Sequence, residues 1–146
     1  MSADKEGFRL ELAPLHGVTG RVFRRAYLAA FPGFDSAMAP FILSVRVDRL
    51  KDTHFKDLCP PEEGGITLVP QILGNDAAGF LATAKVLADS GYPEVNWNLG
   101  CPYPMVADKG RGSGLLPFPD RITRFLDEVC PRLGPRLSVK LRLGRR

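Results

Sequence analysis

Short apolar runs that stop at Pro, Gly or Asn, each separated from the next by a longer stretch of helical pattern or loop, constrain this chain more than any other feature. The runs are Phe8 to Ala13, closed by Pro14; Asp35 to Ala39, closed by Pro40; Thr67 to Leu73; Glu94 to Asn98; and Leu137 to Leu141. Each has the length and composition of a strand. Arg21 to Ala30 is predicted as a helix, with Thr19 as its N-cap and Pro32-Gly33 as its stop. Ser44 to Leu58 is predicted helical, although its apolar pattern is uneven, and Cys59 to Gly65 has the composition of a loop. Asp76 to Ser90 is an Ala-rich helix, capped by Asn75 or Asp76 and stopped by Gly91. Pro102 to Gly114 reads as a long Gly-rich loop. Pro119 to Pro131 contains a helix, because Pro119 and Asp120 both suit a first turn.

Alternation of this kind predicts an α/β fold with parallel strands and helices packed outside them. Five strands with four crossovers fit either an open doubly wound sheet or part of an eight-stranded (β/α) barrel of the TIM type. No G-x-G-x-x-G follows the first strand, which disfavours a dinucleotide-binding sheet. Gly110-Arg111-Gly112-Ser113-Gly114 resembles a phosphate loop but lacks its Lys-Ser ending and follows a loop, so it reads as the rim of a site. A complete barrel takes about 250 residues, and this chain has 146. The expectation is therefore that residues 1–146 are the N-terminal part of a barrel, carrying its first five strands. An open fifth strand would leave a parallel edge through which copies can self-associate; two half-barrels meeting as a dimer is the less favoured alternative.

The rest of the composition narrows the setting. No apolar run reaches the ~20 residues that span a bilayer, and Met1 to Gly7 is short, polar and of mixed charge, unlike a signal peptide. Cys59, Cys101 and Cys130 are odd in number and form no C-x-x-C pair, which argues against a disulfide framework and for the cytoplasm. No cluster of His, Cys, Asp or Glu has metal-ligand spacing, so no metal is expected. A net charge of +4 and a pI near 9.2 permit an RNA partner without requiring one.

Chemistry concentrates at strand ends. In parallel α/β folds the carboxyl ends of the strands carry the site. Cys101 stands there between Gly100 and Pro102, after Asn96-Trp97-Asn98-Leu99. Cys59 and Cys130 both precede proline in loop or helix-end positions and read as structural. Lys140 and Arg142 share one face of the last strand, because side chains repeat every two residues. In a barrel that face is the interior, where an unpaired ammonium is costly and needs a partner. Gln71 and His16 lie beyond Val69-Pro70 and the first strand; by residue type alone each is balanced between a site and an ordinary position. His54 reads as solvated, and Trp97 as packed outward against a helix.

These blocks together resemble the tRNA-dihydrouridine synthases. The resemblance runs from about Leu10 to Gly144. It rests on Leu12-Ala13-Pro14-Leu15-His16-Gly17-Val18-Thr19, Phe23-Arg24, Val69-Pro70-Gln71-Ile72-Leu73-Gly74, Asn96-Trp97-Asn98-Leu99-Gly100-Cys101-Pro102, Lys109-Gly110-Arg111-Gly112-Ser113-Gly114-Leu115-Leu116 and Val139-Lys140-Leu141-Arg142-Leu143-Gly144. Any one block is weak; the Asn-x-Gly-Cys-Pro block joined to the Lys-x-Arg block at this spacing is specific. The family has a TIM barrel, binds FMN and uses NADPH to reduce uridine in tRNA to 5,6-dihydrouridine. The resemblance implies that Pro14, Leu15 and His16 pack against the flavin, that Gln71 hydrogen-bonds its ring system, and that Lys140 binds FMN. It implies that Asn98 and Arg142 face the substrate and that Cys101 is the general acid. Leu15 departs from the family's usual methionine, with similar volume. The family's later histidine, its FMN-phosphate loops and its C-terminal helical tRNA-binding domain have no counterpart here. Two alternatives stay open: an FMN-dependent barrel oxidoreductase acting on a free small molecule, and a non-catalytic fragment.

Overall fold

A computed structural model describes residues 8–46, 49, 51–58 and 66–144. The strands are β1 (Glu11–Leu12), β2 (Ser36–Met38), β3 (Ile42–Leu43), β4 (Thr67–Val69), β5 (Gln71–Leu73), β6 (Glu94–Leu99) and β7 (Arg136–Leu141). The helices are α1 (Arg21–Ala30), α2 (Ala77–Asp89), the single turn α3 (Pro104–Ala107) and α4 (Pro119–Val129). Every strand pairing is parallel, as the alternation predicted.

Two prolines shape the sheet. Pro40 falls between β2 and β3, and Pro70 between β4 and β5. Proline has no N–H for the ladder, so the predicted strand at 67–73 divides into two pieces. β1, β2 and β4 form one sheet; β3, β5, β6 and β7 form the other. Hydrogen bonds from Ala39 N to the Val69 carbonyl (3.0 Å) and from Asn96 N to the Pro70 carbonyl (2.9 Å) carry the pairing across the breaks. The two halves thus act as one kinked sheet whose spatial order follows chain order. A doubly wound sheet reverses its order at a switch point; no such reversal occurs among the described strands.

Several local expectations are corrected. Thr19 is not the cap of α1; Gly20 holds that place without a side-chain bond. The Thr19 hydroxyl turns back to the Leu15 backbone instead, accepting from its N (2.7 Å) and donating to its carbonyl (3.2 Å). Of the helix expected at 44–58, residues 47, 48 and 50 lie outside the described residues, and 52–55 form a 3-10 turn, Asp52–Phe55, rather than α-helix. Its uneven apolar pattern offers no continuous stripe to bury, and packing rather than propensity sustains most helices. β3 was not anticipated, because Pro40 reads as a strand end. The loop expected at 102–114 contains α3 and a buried 3-10 turn, Gly112–Leu115. The loop expected at Cys59 to Gly65, and the ends at 1–7 and 145–146, lie outside the described residues.

The predicted helix over 76–90 forms as α2. Asp76 is its cap, accepting from Gly79 N at 2.7 Å, and Gly91 follows it at φ 91°, a conformation that glycine adopts without strain. The core lies between the sheet and its helices. Trp97, fully buried, stacks on Phe125 of α4 with centroids 4.1 Å apart. Phe80 of α2 meets Phe125 edge-on at 5.3 Å. The indole N–H donates to the Gly74 carbonyl (2.9 Å), satisfying the one polar group this ring buries. Trp97 therefore packs outward against helices, as expected. Strand alternation then turns Asn96 and Asn98 to the opposite face.

Candidate functional site

That opposite face carries a continuous polar network. Register pairs Gln71 with Asn96, Asn96 with Ser138 and Asn98 with Lys140. The Gln71 amide nitrogen donates to Asn96 Oδ1 (2.8 Å) and reaches the Met38 sulfur at 3.6 Å. Gln71 Oε1 accepts from Asn98 Nδ2 at 2.7 Å. Asn96 Nδ2 donates to the Ser138 hydroxyl (3.0 Å). Gln71, Asn96 and Asn98 are all buried. A buried polar network that is satisfied throughout fixes side-chain positions, because any displacement strands a donor or acceptor.

Asn98 passes this order to the cysteine. Its Oδ1 accepts from Gly100 N (3.0 Å) and Cys101 N (2.9 Å), a side-chain-closed turn at the end of β6. Cys101, half-buried, leaves the strand there, and a Cβ at Gly100 would meet the backbone of Lys140, Leu141 and Arg142 at 3.6–3.8 Å. Cys101 and Lys140 thus stand at the carboxyl ends of adjacent strands. Lys140 is half-buried and makes no hydrogen bond or ion pair with the described residues. An ammonium so placed is a charge on this face that the described residues leave unbalanced.

The Gly-rich segment closes over Cys101 from the other side. The Cys101 carbonyl accepts from Ser113 N at 3.0 Å. Gly112 has φ 53°, and a Cβ there would lie 2.7 Å from the Cys101 carbonyl oxygen. Glycine is required twice over, by conformation and by space. Asn75, just past β5, donates from Nδ2 to the carbonyls of Lys109 and Gly110, both at 3.1 Å, and its Oδ1 faces Arg111 Nε at 3.4 Å.

The other predicted residues lie apart from this cluster. Pro14, Leu15 and His16 follow β1 at the same end of the sheet, with Leu15 and His16 exposed. His16 stacks on Phe41, ring centroids 4.9 Å apart. Arg24, fully covered, staples this loop: Nη1 donates to the Thr19 carbonyl (2.8 Å) and Nη2 to the Asp57 carbonyl. No hydrogen bond among the described residues joins Pro14, Leu15 or His16 to the Gln71–Asn98 network. Arg142 is exposed just beyond β7. His54 is half-buried rather than solvated, and its ring accepts from the Lys51 backbone N–H at 3.0 Å. Among the described residues no group of three or more His, Cys, Asp or Glu is disposed to hold a metal ion. Sequence reasoning passed over Asn96, Ser138 and Asn75. Alternation in β6 and β7 signals the first two; nothing in the local sequence signals the third.

At the amino ends of the strands lies a polar cavity of about 460 Å³, lined among others by Glu11, Ser36, Glu94, Arg136 and Ser138. The Ser36 hydroxyl donates to Glu11 Oε1 (2.9 Å), and Arg136 forks onto one oxygen of Glu94. Burial raises the Glu94 pKa. Hydrogen bonds from Ser138 and Arg136, with the charges of Arg136 and Arg9, outweigh it and hold the carboxyl below its ordinary value.

A family model described as dihydrouridine synthase (Dus) matches residues 11–146. The tRNA-dihydrouridine synthase B of Proteus vulgaris is 35% identical over 136 residues, covering 90% of this chain and 40% of that protein. The tRNA-dihydrouridine synthase B of Escherichia coli K12 is 31% identical over 140 residues, covering 93% and 41%. A probable tRNA-dihydrouridine synthase of Rhodobacter capsulatus is 27% identical over 148 residues, covering 99% and 45%. The chain thus spans less than half the length of the curated relatives it matches.

Proposed function

The chain belongs to the dihydrouridine synthase family, and from that premise we propose that it is the N-terminal part of an FMN-binding (β/α) barrel that reduces uridine in tRNA to 5,6-dihydrouridine. Five strand positions in chain order, all parallel, support the barrel over a doubly wound sheet. The observation that carries the chemistry is the pairing of Cys101 with an unpartnered Lys140 at adjacent strand ends, joined through Asn98.

The donor set fits a flavin. The Lys140 ammonium, without a partner among the described residues, suits the electron-accepting edge of the ring system. Gln71 spends its amide on Asn96 and Asn98, which leaves the second lone pair of Oε1 for the cofactor. Pro14, Leu15 and His16 offer an exposed, mostly apolar lip for one face of the ring. When bound, FMN reduced by NADPH supplies a hydride to C6 of the uracil. The residues of this chain do the rest. Asn98 holds the turn that aims Cys101, and the Cys101 thiol gives its proton to C5, becoming a thiolate that solvent reprotonates. Arg142, on the rim, is placed to meet the anionic backbone of an RNA. Among the described residues no helix is long and apolar enough to cross a membrane.

The test is made on the protein isolated from its own cells, assayed with NADPH against bulk tRNA and against free uracil derivatives. Flavin absorbance with dihydrouridine formed in tRNA is the expected result. Reduction of free pyrimidine alone would move the protein to the small-molecule oxidoreductases. Absence of bound flavin would make it a non-catalytic relative.

A further inference from the structure

We propose that Asn75 is a positioning residue for Cys101, acting through the Lys109–Ser113 segment. Asn75 is the residue next to the cap of α2, yet its side chain takes no part in capping, which Asp76 performs alone. It spends its amide across 34 and 35 residues of sequence, on the carbonyls of Lys109 and Gly110, and offers Oδ1 to Arg111 Nε. Three contacts from one short side chain hold three consecutive residues. The next two residues are the ones that touch Cys101. Gly112 lies so close that a Cβ would come within 3.0 Å of the Cys101 Cβ, and Ser113 N donates to the Cys101 carbonyl. The Cys101 turn is therefore held from two sides, by Asn98 within its own strand end and by the segment that Asn75 anchors.

Both anchors stand on ordered elements. Asn75 follows β5, whose Gln71 also supports Asn98, so one strand fixes both sides of the cysteine. Releasing Asn75 frees the outer side while the Asn98 turn persists. The cysteine is then more open to solvent and less precisely aimed, although the core about Trp97 is untouched. This assignment rests on the proposed role of Cys101, so its test needs a readout that does not depend on catalysis.

That readout is alkylation of Cys101 by iodoacetamide, followed by mass spectrometry in the full chain, with the exposed Cys130 as internal reference. The unfolding midpoint is followed in parallel through the fluorescence of Trp97. In Asn75→Ala the Cys101:Cys130 rate ratio should rise about tenfold, as expected for the loss of hydrogen bonds worth roughly one such factor together. The Trp97 midpoint should change little. Asn75→Asp keeps the size and the acceptor facing Arg111 but brings no N–H to the two carbonyls, so it should raise the ratio as well. It serves where the alanine variant fails to fold. In the protein isolated from its own cells, either variant should lower kcat for tRNA with KM nearly unchanged. A wild-type alkylation ratio in both variants, or a rise that only follows a lower unfolding midpoint, overturns the assignment. Absence of tRNA reduction by the wild-type protein would instead overturn the proposed activity, and would leave the alkylation result standing.

Discussion

The tasks proposed for Cys101 and Lys140 are separable, and single substitutions divide them. Cys101→Ala removes the proposed proton donor and leaves the polar network that holds Asn98 and Gln71 intact. Flavin reduction by NADPH should be preserved, while single-turnover uridine reduction should slow by about 10²–10⁴-fold, the usual cost of a lost general acid. An unchanged single-turnover rate would remove Cys101 from that role. Lys140→Ala deletes a half-buried charge on this face that the described residues leave unpaired. It should weaken flavin retention, read as the fraction of cofactor surviving gel filtration; full retention would show that Lys140 faces something else. Glu94 behaves as a structural acid. Its carboxyl titrates below the ordinary value when folded, so its stabilisation is complete above the unfolded carboxylate pKa and is lost as pH falls through the folded one. The unfolding midpoint of the wild type should drop more steeply in acid than that of Glu94→Gln, and parallel curves would refute the assignment.

At the scale of elements, β6 and α2 set the geometry of the site. β6 splits its residues between two tasks: Val95, Trp97 and Leu99 face the core, while Asn96 and Asn98 face the site. α2 packs Phe80 against both Trp97 and Phe125. The cap of α2 therefore supports the layer behind the network. Asp76→Ala removes the bond to Gly79 N and should destabilise the protein by about 1 kcal/mol, measured by denaturant unfolding. A neutral result would mean that packing alone holds the first turn of the helix. Asn75, one residue earlier, should show the reverse pattern: little effect on unfolding and a large one on Cys101.

For the whole molecule, the described sheet has five strand positions, and β7 is paired only with β6 among them. Barrels usually bind phosphate through the loops after their seventh and eighth strands. A polypeptide of residues 1–146 by itself is therefore expected to hold FMN weakly. Each missing charge-assisted hydrogen bond to phosphate forgoes about 1.5–3 kcal/mol. Val139 and Leu141 of β7 are 39% and 56% exposed, so the same polypeptide should also associate through that strand as its concentration rises. Flavin titration and sedimentation test the two expectations together. A yellow monomer that reduces tRNA would refute both.

The alternation of apolar runs and helical stretches was legible in the chain itself, because a parallel strand must be followed by a crossover and each must bury one face. So were the split of β6 between Trp97 and its flanking asparagines, fixed by a period of two, and the strand-end placement of Cys101 and Lys140. The breaks at Pro40 and Pro70 were misread in opposite ways. A proline announces the loss of one donor but not whether neighbouring strands carry the ladder past it. The described end of the helix expected at 44–58 is a 3-10 turn, because local propensity has little force without a continuous face to bury. Thr19 left its expected cap because the Leu15 backbone, brought round by the loop, offered it both a donor and an acceptor. The Gln71–Asn96–Asn98–Ser138 network and the reach of Asn75 to the cysteine loop join residues 25 to 42 positions apart. Such contacts depend on the register of parallel strands, which local sequence does not encode, and only the folded sheet decided them.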